Sequence, residues 1–76
     1  MGKDITVIYC DTWGKGQECI ICKTMTSALN LVDADIEVTM FDLLCEGYEP
    51  KLIYGGFHIA KVYVPDTSIC AWWDIK

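Results

Sequence analysis

Two cysteines separated by two residues stand where the apolar pattern changes period, and this junction constrains the fold more than any other feature of the chain. Before it, "ITVIY" (Ile5 to Tyr9) is β-branched and aromatic and leads into "CDTWGKGQE", the pattern of a buried strand running into a glycine-bearing loop. After it, Ile21, Met25, Ala28, Leu29 and Val32 recur at the spacing of one helix face about three turns long. The stretch between, "QECIICKT", therefore places Cys19 and Cys22 at a helix start. Three readings are open there: a redox pair, half of a metal site, or two small apolar residues of a core.

Downstream, "VDAD" ends the helix, and "IEVTMFDLL" (Ile36 to Leu44) alternates well enough to predict a second strand. "CEGYEPKLIYGG" carries Gly47, Pro50, Gly55 and Gly56 and predicts a loop with at most one helical turn. "HIAKVYV", "PDTS" and "ICAWW" predict an antiparallel hairpin around a Pro-Asp turn. The expected order is β-α-β-loop-β-β. Ile5 to Asp42 supplies the roughly 30 residues of a β-α-β unit, so the first two strands are expected to be parallel with a right-handed crossover.

The 76 residues hold no repeat or linker and predict a single domain, residues 1–76, whose size buries only about 60% of the unfolded surface. A hydrophobic content of 53% is enough to fold it. A net charge of −5 with six scattered basic residues argues against nucleic acid and for a basic or neutral protein partner. No run approaches the roughly 18 apolar residues of a membrane span, and the start is too short in apolar residues for a signal peptide. A cytoplasmic monomer is expected. In a reducing compartment, an odd set of five cysteines points to redox or metal chemistry before a disulfide framework.

At a helix start, unsatisfied N–H groups and the positive dipole end favour the thiolate of Cys19, which would attack a substrate disulfide while Cys22, one turn on, resolves it. Glu18 opposes this activation, and Lys15 and Lys23 are the nearby cations. A zinc site needs four ligands, and Cys10, Cys45, Cys70 and His58 offer no second close pair, so no metal is expected.

The strand, loop, C-x-x-C, helix, strand order, with "IYCDTWGKGQECIIC" and "AKVYVPDTSICAWWD", resembles the small bacteriophage glutaredoxins of the thioredoxin fold. The resemblance covers Ile5 to Asp42 and Ile59 to Asp74. It implies a minimal thioredoxin-like α/β fold with the second and C-terminal helices reduced or absent. It also implies a dithiol-disulfide oxidoreductase acting on a protein disulfide in a host cytoplasm. Lys15, Ala60, Lys61, Trp72 and Asp74 would lie at the substrate or glutathione site. Ala60 stands where the family has a cis-proline, and Ala71 and Trp72 replace its Gly-Gly. Glutathione is accordingly expected as a weakly bound co-substrate at most.

A reading of a different class keeps the fold without the chemistry: a module binding a host or phage protein through Trp72, Trp73 and the loop Thr12 to Gln17, with Trp13 adding to an aromatic surface. Tyr9, Tyr48, Tyr54 and Tyr63 are expected in or beside the core, and His58 in a loop. Cys10 and Cys45 are expected as apolar fillers ending the first two strands. Asp33, Asp35, Glu37, Glu46 and Glu49 are expected on a solvated face.

Overall fold

The first reversal of the chain is built by Asp11. Its carboxylate accepts the backbone N–H groups of Trp13 (3.3 Å) and Gly14 (2.9 Å), and Gly16 takes a left-handed φ of 75° that a side chain would disfavour. A computed structural model describes residues 3–14 and 16–76. In it the reversal joins β1 (Ile5–Asp11) to β2 (Gln17–Cys22) as an antiparallel hairpin, Ile5 opposite Cys22 and Tyr9 opposite Glu18.

Thr24 then starts α1 (Met25–Cys45). Its extended backbone (φ −133°, ψ 156°) and its Oγ1, which accepts the Ser27 N–H at 3.1 Å, satisfy a donor the helix cannot. The helix stops at Gly47, where φ is 93°: Gly47 N–H donates to Leu44 O and Tyr48 N–H to Leu43 O, each at 3.0 Å. At 21 residues α1 is about 31 Å long. Its inner stripe, Ala28, Val32, Ile36 and Leu43, is buried.

Three short strands follow: β3 (Lys51–Tyr54), β4 (Ala60–Tyr63) and β5 (Cys70–Ile75). The sheet order is β2-β1-β5-β4-β3, and every neighbouring pair is antiparallel. The last strand lies in the middle, closed against the first by reciprocal Thr6 and Lys76 hydrogen bonds of 3.0 and 2.9 Å. Where β4 begins, Ile59 N–H reaches Trp73 O (3.0 Å) while Ala60 is the register partner of Trp73. Two residues thus oppose one, as in a β-bulge.

Alternation along each strand gives the sheet a covered and an open face. Val7, Ala60, Val62, Ala71 and Trp73 are buried in the core with the inner stripe of α1. Trp73, with no exposed surface, is the largest of the fully buried side chains, and its ring lies 5.3 Å from that of Tyr9. Removing a side chain of this size from water contributes about 4–6 kcal/mol as an upper estimate, which outweighs the roughly 1–3 kcal/mol cost of an indole N–H that finds no acceptor among the described residues.

The architecture is mixed α/β, but its element order, β-β-α-β-β-β, corrects the expected β-α-β-loop-β-β. Five residues between β1 and β2 cannot carry the crossover a parallel pair requires, so the pair is a hairpin. Ile36 to Leu44, expected as a strand, continues α1, because nothing in "VDAD" breaks a helix and Ile36, Met40 and Leu43 extend its inner face. Cys45 consequently ends the helix and lies on no strand beside Cys10. Part of the expected loop, Lys51–Tyr54, is β3. The hairpin around the Pro-Asp turn is present as β4 and β5.

A candidate binding cleft beside the helix

Covering five strands with one helix leaves space along both flanks of α1. On the flank facing β1 and β2 there is a cleft of about 350 Å³. Its apolar wall is Ile20, Val38 and Leu43, and its mouth carries Trp13, which is 45% exposed. Around these stand the carboxylates of Asp11, Glu18, Asp35, Asp42 and Glu46. No lysine or arginine lines the cleft among the described residues.

Each wall has a local cause. Asp35, Asp42 and Glu46 are spaced seven and four apart, which puts them on one stripe of α1 next to its buried stripe. Glu18 lies on the covered face of β2 because it is opposite Tyr9. The turn after β1 fixes Asp11 and, through it, the backbone of Trp13.

Tyr9 O–H donates to Asp11 Oδ2 at 2.6 Å. Burial pushes the Tyr9 phenol well above its ordinary range, and the bond to Asp11 and the charges of Asp11, Glu18 and Asp35 push it further. Burial also acts to raise Asp11, but the Tyr9 hydroxyl and the N–H groups of Gly14, Gly16 and Trp13 outweigh it and hold Asp11 ionised below its usual range. The cleft is therefore a fixed anionic surface with an aromatic edge. Among the described residues no three His, Cys, Asp or Glu side chains converge closely enough for a metal ion, so the carboxylates ring the space instead of meeting at a point.

The residues expected at a redox site are divided by the sheet. Cys19 and Cys22 lie on β2, not at a helix start. Three residues apart on a strand, they point to opposite faces with Cα atoms about 10 Å apart, beyond the roughly 7 Å a disulfide spans. Cys19 is exposed on the open face, and Cys22 packs against the core. Ala60 is fully buried beneath α1. Lys15 lies outside the described residues.

Lys61, Trp72 and Asp74 do share the open face. Lys61 is the cross-strand partner of Trp72, and both carboxylate oxygens of Asp74 lie 3.0 Å from His58 Nδ1, whose ring is 5.5 Å from that of Trp72. Trp73, expected with Trp72 on a partner surface, is instead in the core. The acidic positions expected merely to be solvated include Asp35 and Glu46 of the cleft, and Asp33 and Glu37 on the opposite flank of α1. Their one-stripe spacing is visible in the sequence only when the helix is carried through Cys45.

The chain matches no protein-family model, and comparison with curated proteins and with solved structures returns no match. Among the described residues no helix is long and apolar enough to cross a membrane.

Proposed function

We propose that this chain is a protein-interaction module that takes a lysine or arginine side chain of a partner into the cleft beside α1. The observation that carries the reading is the cleft lining: Asp35, Asp42 and Glu46 along one stripe of the helix beside an apolar wall, with exposed Trp13 at the mouth. A cationic side chain entering there gains charge-assisted hydrogen bonds to carboxylates and a cation–π contact with the indole, worth about 0.5–1 kcal/mol at an exposed site and more when desolvated. Its aliphatic stem lies along Ile20 and Val38. The net charge of −5 draws such partners in.

Titration of the 15N-labelled protein with a labelled Arg-Gly-Arg-Gly-Arg peptide tests this. Saturable shifts at the Trp13 indole, weakened at least fivefold in Asp35→Asn/Asp42→Asn, are expected. Shifts that spare Trp13, or an affinity unchanged in the double variant, would overturn the reading.

A glutaredoxin-like oxidoreductase is the competing reading, and the exposure of Cys19 on β2 favours it. In that reading Cys19 attacks a protein disulfide and Cys22 resolves the mixed disulfide, with the electrons returned by glutathione. It requires β2 to reorganise so that the two sulfurs meet, and the thioredoxin-like arrangement belongs to the same requirement. Redox titration with glutathione and mapping of the oxidised protein is its test. A Cys19–Cys22 disulfide formed reversibly supports it, and mixed disulfides on Cys19 alone count against it.

A further inference from the structure

The other flank of α1 carries a second feature, independent of the cleft. β3 is the last strand of the sheet, so among the described residues one of its edges has no neighbour. Gly55 N–H donates to Ile59 O at 2.9 Å, which marks Gly55, and by alternation Ile53 and Lys51, as the residues bonded toward β4. Leu52 and Tyr54 therefore direct their N–H and C=O groups outward. Their side chains lie on the covered face, because their cross-strand partners Val62 and Ala60 are core residues.

Beside this edge, between β3 and α1, lies a groove of about 500 Å³. Met40, Phe41, Leu44, Leu52 and Tyr54 line it, and Phe41 (66%), Leu44 (56%) and Tyr54 (63%) are largely exposed. Asp33, Ile36 and Glu37 complete the lining. The helix thus overhangs the sheet with an apolar surface that no strand of the described residues covers.

We propose that β3 and this groove receive an extended segment of a partner protein as a sixth strand, with apolar side chains at alternate positions and a lysine or arginine at the next position of the same face. A strand laid about 4.8 Å from β3 pairs with the outward groups of Leu52 and Tyr54. Its alternate side chains, about 6.7 Å apart, point toward α1 and fill the groove over Phe41 and Leu44. Asp33 and Glu37, on the same side of the sheet as those side chains, select a lysine or arginine at the next alternate position, since the residues between point to the open face, where Lys51 stands. The same carboxylates disfavour a second copy of this chain, since a two-fold pairing of β3 with β3 would bring together two like-charged grooves on two molecules of charge −5 each.

The probe is the blocked peptide Ac-TVTITKT-NH2, which carries Val, Ile and Lys on one face, compared with its scramble Ac-TTVIKTT-NH2, against the full chain and its Asp35→Asn/Asp42→Asn variant. Adding the alternating peptide slows hydrogen exchange at the amides of Leu52 and Tyr54 at least tenfold. The scramble binds at least tenfold more weakly, and so does the alternating peptide to Phe41→Asp, a variant at a largely exposed position. The Asp35→Asn/Asp42→Asn variant keeps this binding, which separates it from capture in the cleft. Unchanged exchange at Leu52 and Tyr54 at millimolar peptide, equal binding of the scramble, or protection of those amides by self-association without peptide would each overturn the proposal.

Discussion

At the scale of single residues, the hydrogen bond from Tyr9 to Asp11 requires a protonated phenol and an ionised carboxylate. Asp11 is held below its ordinary value, so its contribution to stability is present above about pH 4 and is lost as pH falls through the depressed folded value. Tyr9 is raised, so its contribution is complete below about pH 10 and is lost as pH rises beyond that. Between these limits Tyr9→Phe should cost about 1 kcal/mol, below the roughly 1.5–3 kcal/mol of a bond to a charged group because the pair is only partly buried. Urea midpoints at pH 3, 7 and 11 check the window. The variant should differ most at pH 7, with the difference narrowing as the pH falls toward 3, and lose less stability than the parent between pH 7 and 11. A constant difference at all three would mean that lost packing, and not the hydrogen bond, sets the cost.

At the scale of elements, α1 carries the fold and is also where the sequence is hardest to read. Ile36-Glu37-Val38-Thr39-Met40 fits a strand's alternation and a helix's inner face equally well over five residues. Only Leu43, continuing the stripe from Val32, distinguishes the two periods. The C-x-x-C misleads in the opposite direction. Its spacing suits a first helical turn, yet Ile20 and Ile21 are β-branched, and the Asp11 turn brings them back along β1 before Thr24 can start a helix. What remained legible were β1 and the Pro-Asp hairpin, whose signals are local. The site was less legible because its residues come from β1, β2 and α1, which only a correct element order brings together. The caps that define α1 are testable: Gly47→Ala and Thr24→Ala should each destabilise by about 1 kcal/mol, the first through a left-handed φ and the second through a lost N-cap bond. Thermal denaturation should place each variant roughly 4–8 °C below the parent. A loss of less than 1 °C in either would show that packing on the sheet alone sets the end of the helix concerned.

Across the whole molecule, acidic charge is concentrated on one element. Asp33, Asp35, Glu37, Asp42 and Glu46 are on or at the end of α1, while the open face of the sheet carries Lys51 and Lys61 together with Asp74. Two of these acids are placed against the physics of the helix. Asp42 and Glu46 are four residues apart and sit at the carboxyl end, where the dipole is already negative and no basic residue occupies the last turn. An arrangement serving stability alone would have cations there. Neutralising such a carboxylate should therefore stabilise the protein while weakening whatever the cleft binds, the pattern expected where function is retained at the expense of stability. Glu46→Gln should gain about 0.3–1 kcal/mol, and Asp42→Asn a similar amount, which for a domain of this size raises the melting temperature by about 1–8 °C. The gain should shrink as sodium chloride rises toward 1 M, because screening relieves the same repulsion in the parent. Affinity for an arginine peptide should fall in the same variants and at the same salt. Loss of stability on neutralisation would assign these carboxylates a structural role. A gain in stability with peptide binding unchanged would leave the helix electrostatics as argued and remove Asp42 and Glu46 from the binding surface.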